Sequence, residues 1–113
     1  MITIEELKKL GVNTDEGIER CLDDEDFYLM LIETALDDSE LIKLETALGS
    51  GDIKAAFEAA HALKGVYGNM SLTPLYEPMV QLTETLRRNS TDNADVLMEE
   101  IKENFAKLSA LKE

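Results

Sequence analysis

Cysteine occurs once in the 113 residues, at Cys21, so no disulfide can form within the chain and no cysteine-built zinc site is possible. Histidine also occurs once, at His61, which leaves too few ligands for a structural transition-metal site. Two prolines and six glycines are too few for a loop-rich or all-β design. Long apolar runs are missing as well. The longest, Phe27 to Ile32, is far too short to span a bilayer. Met1-Ile2-Thr3-Ile4-Glu5-Glu6 lacks the basic-then-apolar order of a signal peptide, so the cytoplasm is the expected compartment. Basic residues are scarce: 11 Lys and Arg stand against 24 Asp and Glu, a net charge of -13. Such a surface is ill suited to gripping phosphate backbones or anionic lipid, so neither nucleic acid nor membrane is an expected partner. The shortage is uneven. Residues 1–50 carry 14 acidic and 4 basic side chains, net -10, while residues 51–113 carry 10 and 7, net -3. The second half is the easier approach for an acidic partner.

What is present is an ordinary folding composition, 44% hydrophobic with 31% charged. Residues 1–113 are expected to form a single domain, long enough to bury about two-thirds of its unfolded surface without a staple. Apolar residues recur at helical spacing throughout, and β-branched runs are missing. The pattern predicts a short helix over 3–10 stopped at Gly11, and a second from an Asn13/Thr14 cap to about Leu22. Asp23-Asp24-Glu25-Asp26 then opens a longer helix carrying Phe27, Met30, Leu31, Ala35, Leu41, Leu44 and Leu48. That helix is expected to bend or break near Asp37-Asp38. Gly49-Ser50-Gly51 is a stop and turn, with Asp52 as the next cap. Helix 52–70 follows. Thr73 then caps a helix with Pro74 at its first position that runs to about Asn89. After a turn at 90–93, a final helix carries Val96, Leu97, Ile101, Phe105, Leu108 and Leu111. The expected fold is all-α: an antiparallel up-down-up-down four-helix bundle over about 24–112, with short extra N-terminal helices over about 3–22 as cover.

Helix 52–70 carries the chemistry. With His61 at zero on a helical wheel, Ala56, Ala59, Leu63, Val66 and Met70 fall between about 140° and 220°, the predicted core face. Lys54, Phe57, Glu58, Lys64, Gly65 and Gly68 fall within about 60° of His61. The imidazole is therefore expected to point outward, partly exposed. Gly65 and Gly68 lie beside it, each costing about 1 kcal/mol relative to alanine if the helix continues. Two readings stand on spacing alone. In one, the glycines open a flat shelf that lets a bulky partner reach the ring, and Lys64 supplies a cation where a phosphoryl group would bring negative charge. In the other, Gly65 ends the helix, Gly68 is a turn residue, and Lys64 favours the C-terminal dipole.

His61-Ala62-Leu63-Lys64-Gly65-Val66-Tyr67-Gly68-Asn69-Met70-Ser71-Leu72 resembles the signature of histidine-containing phosphotransfer (HPt) domains, H-x-L-K-G followed by small residues. The order of acidic segment, long apolar helix, Gly-Asp turn, histidine helix and two closing helices is similar to that family over roughly residues 1–110. Two departures stand out. Ser71 occupies a position where the family usually has glycine, and Val66 and Tyr67 are bulkier than the usual small residues. The resemblance implies that His61 accepts a phosphoryl group from the aspartyl phosphate of a receiver domain and passes it to another receiver. Lys64 would stabilise phosphoryl charge, and Phe57, Glu58, Gly65 and Gly68 would form the partner-binding face. Response-regulator receivers, with a hybrid sensor histidine kinase, are the implied partners. The receiver would bring Mg²⁺ and the acidic cluster that holds it, so no intrinsic cofactor or metal is expected here. A monomer is expected.

The other constellations point to structure. The 23–26 carboxylates lack the alternating oxygen ligands and glycine of a calcium loop and suit a helix start. Arg87-Arg88 sits near a helix end, where the dipole favours cations. Cys21 reads as a buried small apolar residue. No Gly-rich phosphate loop or Ser/His/Asp arrangement is present, so the chain is not expected to be a kinase or to bind nucleotide. One rival function is a non-catalytic helical adaptor that docks a protein on the Gly65/Gly68 face. Another, the dimerising phosphoacceptor part of a histidine kinase, is disfavoured because His61 is not followed by the acidic residue and downstream proline used there.

Overall fold

The computed structural model describes residues 2–112. Its helices are α1 (Ile4–Lys9), α2 (Thr14–Arg20), α3 (Glu25–Ala35), α4 (Ser39–Gly49), α5 (Ile53–Asn69), α6 (Thr73–Arg87) and α7 (Ala94–Ser109), with a 3-10 turn at Ala110–Lys112. No strand occurs among the described residues. α4 packs on α5, α5 on α6 and α6 on α7. Short connections at 50–52, 70–72 and 88–93 reverse the chain each time, which makes the expected antiparallel bundle. α1 and α2 pack together, and α2 leads onto α3.

Side-chain caps set most of the helix starts. Thr3, Asn13, Asp24 and Asp52 accept hydrogen bonds from the backbone N–H groups of Glu6, Glu16, Phe27 and Ala55. Such a cap is worth about 1 kcal/mol. Asp24 therefore uses one carboxylate of the 23–26 cluster to begin α3. Gly11 (φ +92°) and Gly51 (φ +77°) supply the left-handed turns that end α1 and lead into α5.

The long apolar helix breaks at Asp37-Asp38. Asp38 stands at the cap position of α4 but makes no capping bond. Asp37 does the work instead, accepting from the Ser39 backbone N–H at 2.9 Å and from the Ser39 hydroxyl. Those two bonds hold its carboxyl below the usual carboxylate range.

Boundaries and faces shift in places. α2 ends at Arg20, because Leu22 turns left-handed at φ +58°. α6 is capped at Leu72, with Thr73 as its first residue and Pro74 its second, and it ends at Arg87. Phe27 and Met30 are exposed at 44% and 54%, and it is Tyr28 and Ile32 that α3 buries completely. Val96 is exposed on α7, with Leu97, Met98 and Ile101 inside. On α5 the buried set is Ala56, Ala59, Ala60, Leu63 and Tyr67, whereas Val66 is exposed and Met70 half-buried. The core face is thus rotated by roughly 40° from the predicted one. The cause is that α5 packs on both α4 and α6, so its buried arc is wider and includes Ala60 and Tyr67.

Pro78 inside α6 cannot donate to the carbonyl of Pro74 four residues back. Asn104 of α7 supplies the missing donor, its Nδ2 lying 2.9 Å from the Pro74 carbonyl oxygen. The same contact ties α7 to the start of α6, beside the end of the histidine helix.

Candidate functional site

α5 runs unbroken from Ile53 to Asn69, so neither Gly65 nor Gly68 stops it. His61 sits near its middle with an exposed side chain, as the wheel predicts. The helix ends on Ser71, which is buried and left-handed at φ +55°. The Leu72 N–H bonds the Tyr67 carbonyl at 2.9 Å and the Ser71 N–H bonds the Gly68 carbonyl at 3.1 Å, the Schellman pattern of a helix terminus. A glycine fits that position because of its backbone, not only its size. Serine is held there by its hydroxyl, which donates to Glu16 Oε1 at 2.8 Å, and by its carbonyl, which accepts from the Asn13 N–H at 3.2 Å. Tyr28 Oη donates to the Met70 carbonyl at 2.9 Å, passing over Gly17, where a Cβ would lie only 2.3 Å from the ring. α2 and α3 thus lock the end of the histidine helix.

The two glycines beside His61 differ. A Cβ on Gly65 would meet nothing within 4 Å, so this position leaves open surface. A Cβ on Gly68 would lie 2.8 Å from Tyr76 Cε1. Gly68 therefore admits the Tyr76 ring of α6. The open shelf is at Gly65, and the half of it expected at Gly68 is already filled. A cavity of about 300 Å³ flanks this stretch, with Lys64, Gly65, Gly68, Tyr76 and, from α2, Arg20 among its walls. Arg20 and Tyr76 were not singled out by sequence reasoning; both are brought in by packing between elements distant along the chain.

Lys64 lies one turn beyond His61 and is half-buried. None of the ion pairs among the described residues uses it. Glu58, one turn before His61, is exposed. Phe57 is half-buried, with its ring stacked on the imidazole at 5.7 Å between centroids and 18° between planes. Arg87 Cζ of α6 lies 5.0 Å from the Phe57 centroid. Its position at a helix end thus also serves a contact beside the site. No group of three or more His, Cys, Asp or Glu side chains among the described residues is placed to hold a metal ion. Cys21 is buried at the end of α2.

A family model described as the Hpt domain matches residues 26–111. The chain belongs to the Hpt domain family. The match leaves α1 and α2 outside it, and α2 is the element that adds Arg20 and Glu16 beside this Hpt domain's histidine helix. The fold is also similar to the crystal structure of histidine-containing phosphotransfer protein B from Pseudomonas aeruginosa PAO1. That likeness has 30% identity and a TM-score of 0.70, covering 97% of this chain and 89% of the other. No curated protein matches the sequence. As an Hpt domain the chain has a role in phosphotransfer signalling. Among the described residues no helix is long and apolar enough to cross a membrane.

Proposed function

We propose that this Hpt domain is a phosphorelay intermediate in which His61 takes a phosphoryl group from the aspartyl phosphate of a receiver domain and hands it to another receiver. One observation carries the reading: the sole imidazole of the chain is exposed at mid-helix, with the empty surface of Gly65 on one side and, on the other, Lys64, which enters no ion pair among the described residues. The lone pair of an unprotonated ring nitrogen forms the N–P bond as the P–O bond to the aspartate breaks. The electron pair leaves on the aspartate carboxylate, and the imidazole keeps its one proton on the other nitrogen. The transition state spreads charge over three equatorial oxygens, so positioning and fixed charge supply most of the catalysis. Lys64 provides that charge, and Gly65 lets the receiver's loops come close to the ring.

The receiver brings Mg²⁺ with the carboxylates that hold it, and this chain supplies the nucleophile and the lysine. Gly65 and Glu58 form the docking face, and the partners include a receiver linked to a sensor kinase. The domain works as a monomer in the cytoplasm. The test is incubation with a phosphorylated receiver, followed by mapping of the phosphate. Acid-labile, base-stable phosphate on His61 supports the relay. A chain that binds the receiver yet takes up no phosphate is an adaptor, and that result overturns it.

A further inference from the structure

An exposed imidazole on a helix ordinarily turns among several staggered side-chain conformers, and only some of them aim a ring nitrogen at an incoming phosphorus. None of the hydrogen bonds among the described residues involves the His61 ring. Stacked on it is the Phe57 ring one turn back, nearly parallel at 18° and 5.7 Å between centroids. That separation is within the range of offset aromatic stacking. Phe57 is in turn covered by the Arg87 guanidinium of α6 at 5.0 Å, within cation–π reach. Arg87 is itself anchored, its Nε 3.3 Å from Glu84 Oε1. The series Glu84, Arg87, Phe57, His61 therefore runs from one helix to the next and ends on the imidazole.

We propose that Phe57 is a positioning residue for His61, holding the ring in a transfer-ready conformer, and that Arg87 clamps Phe57 in place from α6. The proposal rests on His61 being the phosphoacceptor. Its chemical content is preorganisation: an imidazole already confined to one conformer loses less freedom on reaching the transition state, which lowers the barrier without adding any contact to the phosphoryl group. It also changes the part played by Phe57. A ring already in contact with His61 and Arg87 has little surface left for a receiver, so its removal slows the transfer step and spares docking.

The test uses the whole chain with Phe57→Leu, Phe57→Tyr and Arg87→Gln. His61 ring-proton NMR resonances are read without any phosphate present, and transfer kinetics are read with a phosphorylated receiver over a range of concentrations. In Phe57→Leu the ring current of the stack is lost, so the His61 resonances move downfield. The transfer rate at saturating receiver falls by about two- to tenfold, the size of a stacked pair converted to rate, with the half-saturating concentration unchanged. Phe57→Tyr keeps the stack and restores both readings. Arg87→Gln, on an exposed side chain that leaves the fold intact, moves both in the same direction as Phe57→Leu. Unmoved His61 resonances in Phe57→Leu overturn the proposal, as does a change confined to the half-saturating concentration. If His61→Gln still takes up phosphate, it is the phosphoacceptor reading that fails, whereas the NMR comparison judges the stack by itself.

Discussion

Lys64 and Gly65 occupy neighbouring places beside His61 but serve different steps of the proposed relay. Lys64 is a cation with no ion-pair partner among the described residues, next to the ring proposed to receive a phosphoryl group. Lys64→Ala removes charge and little contact area. A charge-assisted contact is worth about 1.5–3 kcal/mol, so the transfer rate at saturating receiver is expected to fall roughly ten- to a hundredfold. Equal rates would remove Lys64 from the mechanism. Gly65 is a matter of space. Gly65→Leu places a side chain where nothing stands within 4 Å, and leucine is the better helix former by about 1 kcal/mol. Receiver affinity is expected to drop about tenfold or more while the unfolding temperature holds or rises. Gly68→Leu behaves differently, because its Cβ would press on the Tyr76 ring at 2.8 Å. Overpacking of about 1–3 kcal/mol outweighs the helix gain there, so thermal unfolding should come earlier. If the two variants exchange these behaviours, the assignment of open surface to Gly65 is wrong.

At the scale of elements, the histidine helix is defined by its ends. Ser71 holds a left-handed conformation that costs roughly 1–2 kcal/mol for most residues, and its bond to Glu16 offsets part of that. Ser71→Ala keeps the strain and loses the bond, so it is expected to lower stability by about 1 kcal/mol. Ser71→Gly should be the more stable of the two in chemical denaturation, and the reverse order would show that the strain is not felt. The same helix marks what was legible in the sequence. The outward face of His61 followed from the alanines and Leu63 on the opposite side, and the order of the long helices followed from caps such as Asp52 and from the turns at Gly49-Ser50-Gly51. The break at 37–38 was foreseen only as one of two outcomes, since a bend and a break share the same Asp-Asp pattern. Val66 lies outside the core, and Tyr67, left off the predicted core face, lies inside it, because a wheel gives the centre of an apolar arc, whereas packing on two neighbours decides its edges. Phe27 is exposed and Tyr28 buried for a related reason, since the buried Tyr28 hydroxyl bonds the Met70 carbonyl, 42 residues away. Arg87 over Phe57 and Tyr76 over Gly68 join separate helices, and single-helix periodicity holds no signal for such contacts.

At the scale of the whole molecule, two buried tyrosines tie stability to alkaline pH. Burial, with smaller contributions from Cys21 and Glu16, pushes the Tyr28 hydroxyl up from 10.0 to about 12, and burial pushes Tyr67 up further. The folded state thus holds these protons where an unfolded chain has begun to release them. Both contributions are whole below pH 10; that of Tyr28 is lost as pH rises through about 12, and that of Tyr67 goes on falling above it. Denaturant midpoints should fall between those values, and less steeply in Tyr28→Phe. A flat profile would mean that the hydroxyls are not held in their neutral form by the fold. The proposed relay rests on one exposed imidazole. His61→Gln isolates it, because an exposed side chain contributes little packing and surface substitutions usually stay within about ±0.5 kcal/mol. The decisive measurement is phosphate uptake from a phosphorylated receiver by wild type and His61→Gln, with thermal unfolding of both recorded alongside. The expected result is acid-labile, base-stable phosphate on the wild type, none on the variant, and matching unfolding curves; phosphate on the variant would contradict the account.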